Sequence, residues 1–339
     1  MGMGINAQLK LILLRDGVEA PSCENLLDEY IDSDSGTDEC PSFELQRDIE
    51  MTRKYNVTFP FNGVTTAFHR AIIVDWLTTL QAHMKMDTKG LHMAVWLIDH
   101  YPWRAKAKIG NYVLMALAAL MVGDRMTSTR SEDECINMRR DLVAHSNNQY
   151  SEEQIANNET LLVNLFWCDL PFPTPHTFLK RCIRASNDIA DVFDLQRAVA
   201  LCLYCFDLGL LNCKLAKFSS SMKCSAVMLL LRRLIKGSCV CSRAEINDPS
   251  SSCNVHKLWE WTQELGKAMD QECDEELYYV SDIYMKLLRE AKCFNNNCEF
   301  KFTKGCAPAF EAAFKKHNKQ VYLNIPISGI LVNTNFIDL

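Results

Sequence analysis

His69–Leu80 reads HRAIIVDWLTTL. Its apolar positions Ile72, Ile73, Trp76, Leu77 and Leu80 recur at helical spacing, with Arg70 and Asp75 interrupting an otherwise oily surface. This pattern predicts a helix buried on most sides. An unpaired guanidinium among so much apolar surface is strongly unfavourable, so Arg70 requires an anion. The nearest one on the next periodic segment, Leu91 to Tyr101, is Asp99, which gives a candidate structural ion pair.

Working outward, a third periodic segment, Ile109 to Met121, carries Ala116, Ala118 and Ala119. Small residues on several faces let neighbouring helices approach closely, as the central helix of a bundle needs. A polar stretch from Ser128 to Gln154 holds a short fourth helix around Glu132 to Ala144. A fifth is expected over Glu152 to Leu170, with Ser151 and Glu153 or Gln154 as caps. Pro171 to Leu179, PFPTPHTFL, is a proline-set extended connection and marks a domain boundary. Helical periodicity returns at Leu195 to Cys205, Met222 to Leu234, Val255 to Leu265 and Glu275 to Leu288. Upstream, Phe43 to Val57 forms an amphipathic helix suited to strapping onto a separate globule, and Pro60 and Gly63 break the chain after it.

The opening stretch resembles the first helix of a cyclin box, M-R-x-I-L-V-D-W, whose arginine pairs with an aspartate on the second helix. His69 stands in the methionine position. The alanine-rich third segment is similar to the third cyclin-box helix. Asn158–Leu170 resembles the family's M-E-x-x-x-L-x-x-L-x-F-D-L, and Pro173 to Leu179 its P-T-x-x-x-F-L opening of a second box. Phe310 to Pro326 is similar to the tail of A- and B-type cyclins, a helix with basic residues at its end. The resemblance implies an all-α fold of two tandem cyclin-box five-helix domains preceded by an N-terminal helix. The expected layout is an acidic arm over 1–42, a helix and connection over 43–62, boxes over 63–170 and 171–290, and a tail over 291–339.

It also implies a function. The protein would be a regulatory subunit that binds and activates a cyclin-dependent protein kinase in cell-cycle control, with substrate or inhibitor peptides as further partners. The alternative is a non-activating scaffold of the same fold for a non-kinase partner. The family's kinase-binding lysine falls on Arg125 and its glutamate on Glu159. Val122, Met126 and Leu170 are candidates for the apolar part of that interface. The family's Phe-Glu-Glu after the lysine is replaced by Met126, Thr127 and Ser128. The plainer alternative for Arg125 and Glu159 is a surface ion pair with each other. Ile72, Ile73 and Trp76 match the face that docks R-x-L peptides in several cyclins. Thr79 occupies the usual acidic position and Val113 a common glutamine position, so the counter-charge for such a peptide is gone and core packing is expected of Ile73 and Trp76.

Composition bounds the alternatives. A chain of 339 residues with 48% hydrophobic and 23% charged residues is globular, and two domains are expected. The net charge of −6 argues against a general nucleic-acid surface. The apolar run near the N-terminus is too short to span a membrane, and a nuclear or cytoplasmic location is expected. The sixteen cysteines include Cys168, Cys182, Cys202, Cys205 and Cys224 inside helical apolar patterns, where a free thiol acts as a small hydrophobe. Cys239, Cys241, Cys253 and His256 offer zinc-type ligands, but C-x-C spacing is unusual for structural zinc and no cofactor is expected. In the acidic tract, Ser35 with Asp38 three residues on is a candidate phosphorylation site. No phosphate loop, H-E-x-x-H or G-x-S-x-G occurs, and His69, His92, His100, His145 and His176 lie on unrelated segments, so no catalytic role is expected.

Overall fold

The computed structural model describes residues 30, 43–52, 67–106, 111–170, 172–237, 255, 258–295 and 311–317. The described elements are helical. After α1 (Phe43–Thr52), the first box comprises α2 (Ala67–His83), α3 (Thr88–Arg104), α4 (Tyr112–Thr127), α5 (Glu132–His145) and α6 (Glu152–Phe166), followed by a 3-10 turn at Trp167–Asp169. The second comprises α7 (Pro175–Arg184), α8 (Leu195–Leu210), α9 (Ser220–Gly237), α10 (Gln263–Met269) and α11 (Glu275–Asn295). The last helix among the described residues, α12, spans Glu311–His317.

Local chemistry sets where these helices begin. Asp87 accepts from the Lys89 amide at 2.9 Å to start α3, and Asn111 accepts from Leu114 at 3.1 Å to start α4. Ser131 with Glu134, and Ser151 with Gln154, form reciprocal capping boxes at α5 and α6. α4 is the hub of the first box, buried continuously from Met115 to Asp124. It meets α3 backbone to backbone: a Cβ on Gly123 would collide with the Gly90 carbonyl, and one on Gly90 would stand 2.9 Å from the Gly123 backbone. Only glycine at both positions allows this approach.

Arg70 lies in the buried face of α2. Its Nε and Nη2 donate to Asp99 Oδ1 and Oδ2, each at 2.7 Å, and Nη1 donates to the Leu210 carbonyl on α8 at 2.8 Å. Burial opposes the guanidinium's charge, and Asp99 more than restores it, so its pKa is raised. One side chain thus closes the first box and ties it to the second.

The terminal helices cross-brace the molecule. α1 lies on the second box: Phe43 meets Phe178 edge-on at 6.1 Å, Arg47 donates to Ser221 Oγ at 2.7 Å, and Glu50 accepts from the Ser221 amide at 2.9 Å. α12 packs between α2 and α8. The Ala312 amide donates to Asp75 at 3.1 Å, Lys316 Nζ stands 2.8 Å from Asp207, and His317 Nε2 stands 2.7 Å from the same carboxylate. His92 of α3 approaches Asp207 at 3.2 Å. Burial alone would push the Asp207 carboxyl up, but Lys316 and the imidazoles outweigh it and hold the pKa well below the usual range.

Three expectations shift. The helix expected over Val255 to Leu265 sits later, at Gln263–Met269, capped by Thr262. The wholly buried Arg232 side chain holds the Trp259 carbonyl at 2.7 Å, and Trp261 Nε1 reaches the Gln271 carbonyl at 3.2 Å, so tertiary bonds claim the segment before a helix can. α11 continues to Asn295, past the boundary expected at 290. His92 and His176, separate in sequence, meet in a T-shaped contact at 4.5 Å. Among the described residues, no helix is long and apolar enough to cross a membrane.

Candidate functional site

The outer end of α4 presents Arg125, and its placement depends on the residue before it. Asp124 is buried and accepts from Arg130 Nε at 2.8 Å, while Arg130 Nη2 donates to the Lys85 carbonyl at 2.6 Å. That latch fixes the α4–α5 connection against the α2–α3 turn. Arg125, one position on, therefore points outward into a groove of about 270 Å³ between α4, α5 and α6. Ala156, Thr160 and Val163 line the α6 side, and Arg125, Glu132, Arg139 and Glu159 bring charge to it.

These four charges form one network. Arg139 Nε donates to Glu159 Oε1 at 2.7 Å, and Arg125 Nε lies 3.6 Å from Glu159 Oε2. Arg125 Nη2 donates to Glu132 Oε1 at 2.9 Å, and Arg139 Nη2 lies 3.6 Å from that same oxygen. Glu159 is only 7% exposed, so an ion partner inside the chain is a physical requirement, and Arg139 supplies it. The bond to Glu159 raises the Arg139 pKa. The bond from Arg125 lowers the Glu132 pKa.

The structure thus brings Arg125 and Glu159 together, the pair singled out by sequence. Glu132 and Arg139 were not singled out. They lie seven residues apart, two turns along one face of α5, and that spacing on a polar helix was the available signal. The Arg139 guanidinium is engaged with Glu159, and Leu142, three residues on, is core. Among the expected apolar contacts, Val122 is 1% exposed and packs in the first-box core, while also bordering the groove beside Arg125 and Met126. Leu170 packs partly against that core, while Met126 is 37% exposed. Ile72, Ile73 and Trp76 are all buried, so the candidate docking face is packed in this conformation. Thr79 is exposed and its hydroxyl donates to the Asp75 carbonyl at 3.2 Å.

Ser35 and the four zinc-type residues Cys239, Cys241, Cys253 and His256 lie outside the described residues. Among the described residues, no group of three or more His, Cys, Asp or Glu side chains is placed to hold a metal ion.

A family model described as "Cyclin, N-terminal domain" matches residues 40–170, and one described as "Cyclin, C-terminal domain" matches residues 173–291. The chain belongs to the cyclin family. Among similar proteins, the G2/mitotic-specific cyclin cdc13 of Schizosaccharomyces pombe is 26% identical over 232 residues, covering 66% of this chain and 45% of that protein. The putative cyclin-A3-1 of Arabidopsis thaliana is 23% identical over 303 residues, 88% of this chain and 74% of that protein. The human G2/mitotic-specific cyclin-B3 is 27% identical over 134 residues, 40% of this chain and 9% of that protein. The chain thus spans less than half the length of several relatives that it matches. As a divergent cyclin with A- and B-type relatives, it falls in a family of regulatory subunits rather than catalysts, whose usual partners are cyclin-dependent kinases.

Proposed function

We propose that this cyclin binds and activates a cyclin-dependent protein kinase in cell-cycle control, acting in the nucleus or cytoplasm and contributing no catalytic group. The observation that carries this is the convergence of Arg125 and Glu159 beside the groove between α4, α5 and α6. Small and apolar residues on α6 suit the ridge of one partner helix, and charge-assisted bonds from Arg125 fix its orientation. Met126 and the strongly exposed Trp167 add apolar surface at this end of the box. The partner element is the kinase's C helix. Pressed inward, it carries the kinase's own glutamate to the lysine that positions ATP.

A second role, as a scaffold that binds without activating, is favoured by the internal engagement of Glu159 with Arg139 and by the packed face at Ile72 and Trp76. Copurification with a kinase followed by a histone phosphorylation assay separates the two. Activation predicts kinase activity that falls with Arg125→Ala and Glu159→Ala. Bound partner without kinase activity, unaffected by those changes, contradicts it.

A further inference from the structure

Arg125 is already occupied in the free chain. Its Nη2 donates at 2.9 Å to Glu132, a residue whose side chain is 64% exposed and which opens α5 at the mouth of the groove. Arg125 Nε is buried and has no hydrogen-bond acceptor among the described residues; its approach to Glu159 at 3.6 Å is an ion-pair distance only. The two acids of the network therefore differ in kind. Glu159 is buried and held by a short bond from Arg139, so releasing it would leave an unpaired buried charge. Glu132 can release Arg125 at little cost, because its exposed carboxylate returns to water and keeps its 3.6 Å approach to Arg139.

We propose that Glu132 is a displaceable place-holder. It keeps Arg125 extended across the groove in the free protein and yields the guanidinium to an oxygen acceptor, a carboxylate or helix-end carbonyl, on the incoming partner helix. Arg139 is the fixed anchor that lets this exchange occur without disturbing Glu159. A guanidinium supplies donors in a planar fork, so the exchange replaces one solvent-exposed bond with bonds shielded by the interface. Glu132 thereby weakens association while keeping Arg125 in a binding-ready geometry. This rests on the kinase-binding role proposed above and concerns how the same groove is regulated.

The direction of one substitution distinguishes a competitor from a contact. Glu132→Gln keeps the side chain's size and removes the charge that competes for Arg125. Association with the copurified kinase should tighten about two- to five-fold, the range expected for loss of an exposed competing pair. In an Arg125→Ala background the same substitution should change affinity by less than about 1.5-fold, since nothing remains to be released. Melting of each variant by circular dichroism controls for the loss of an acid in the first turn of α5. If Arg125→Ala weakens association but Glu132→Gln weakens it or leaves it unchanged, the place-holder role is wrong and the groove assignment stands. If Arg125→Ala itself has no effect, both fall.

Discussion

Replacing Arg70 with methionine removes the guanidinium while keeping much of the stem's volume. In the folded chain this leaves the Asp99 carboxylate, 2% exposed in its side chain, without the two 2.7 Å bonds it receives from Arg70. It also leaves the Leu210 carbonyl without its 2.8 Å donor from the first box. Breaking a buried pair by removing one partner costs about 3–5 kcal/mol, and an orphaned carbonyl adds about 1 kcal/mol. Against a total stability of about 5–15 kcal/mol, that is about a quarter or more of the whole. At about 2–4 °C per kcal/mol for a unit of 150–250 residues, the melting midpoint should fall by roughly 10 °C or more. Urea unfolding followed by circular dichroism and tryptophan fluorescence measures it, the two probes also revealing whether the boxes now unfold separately. The double variant Arg70→Met/Asp99→Leu, which removes both charges, should recover most of the loss. A single variant within about 1 kcal/mol of wild type, or a double variant no better than the single, would refute the importance given to this pair.

Gly123→Ala should push α3 from α4 and cost at least about 1–3 kcal/mol in denaturant unfolding, because the obstacle is the Gly90 backbone rather than a flexible side chain. Asp207→Asn removes the anion shared by Lys316, His317 and His92, so amide hydrogen exchange should quicken first across Glu311–His317. Stability should also decline as pH falls below about 6.5. Burial lowers the pKa of His92 and, more strongly, of His176, so the unfolded chain binds protons that the folded chain refuses, and stability is lost progressively below the unfolded value. His176→Phe, measured by thermal melting between pH 5 and 7, should flatten that slope, since neither nitrogen of the His176 ring has a hydrogen-bond partner among the described residues.

The fold was legible where local pattern and burial agree. HRAIIVDWLTTL packs as its periodicity implies, and the alanines of α4 sit at the centre of the first box. The cap residues Ser151 and Gln154 also declared the start of α6. What stayed hidden depends on partners distant in sequence. Nothing near Arg139 announces Glu159 across the groove, and nothing near Asp207 announces that His92 and the pair Lys316–His317 converge on it. The apolar pattern before Leu265 suggested an earlier helix, but Arg232 on α9 holds the Trp259 carbonyl. Val122 shows the same limit within the site, since periodicity cannot say how an apolar residue at a helix end divides between the core and the groove that it borders.

The affinity of the copurifying kinase for wild type and for Arg125→Ala/Glu159→Ala, measured by biolayer interferometry at fixed salt, tests the groove most directly. Loss of an interface centre should raise Kd at least about tenfold while the helical melt of the first box persists. A Kd within twofold of wild type, with the variant folded, would contradict kinase binding at this groove.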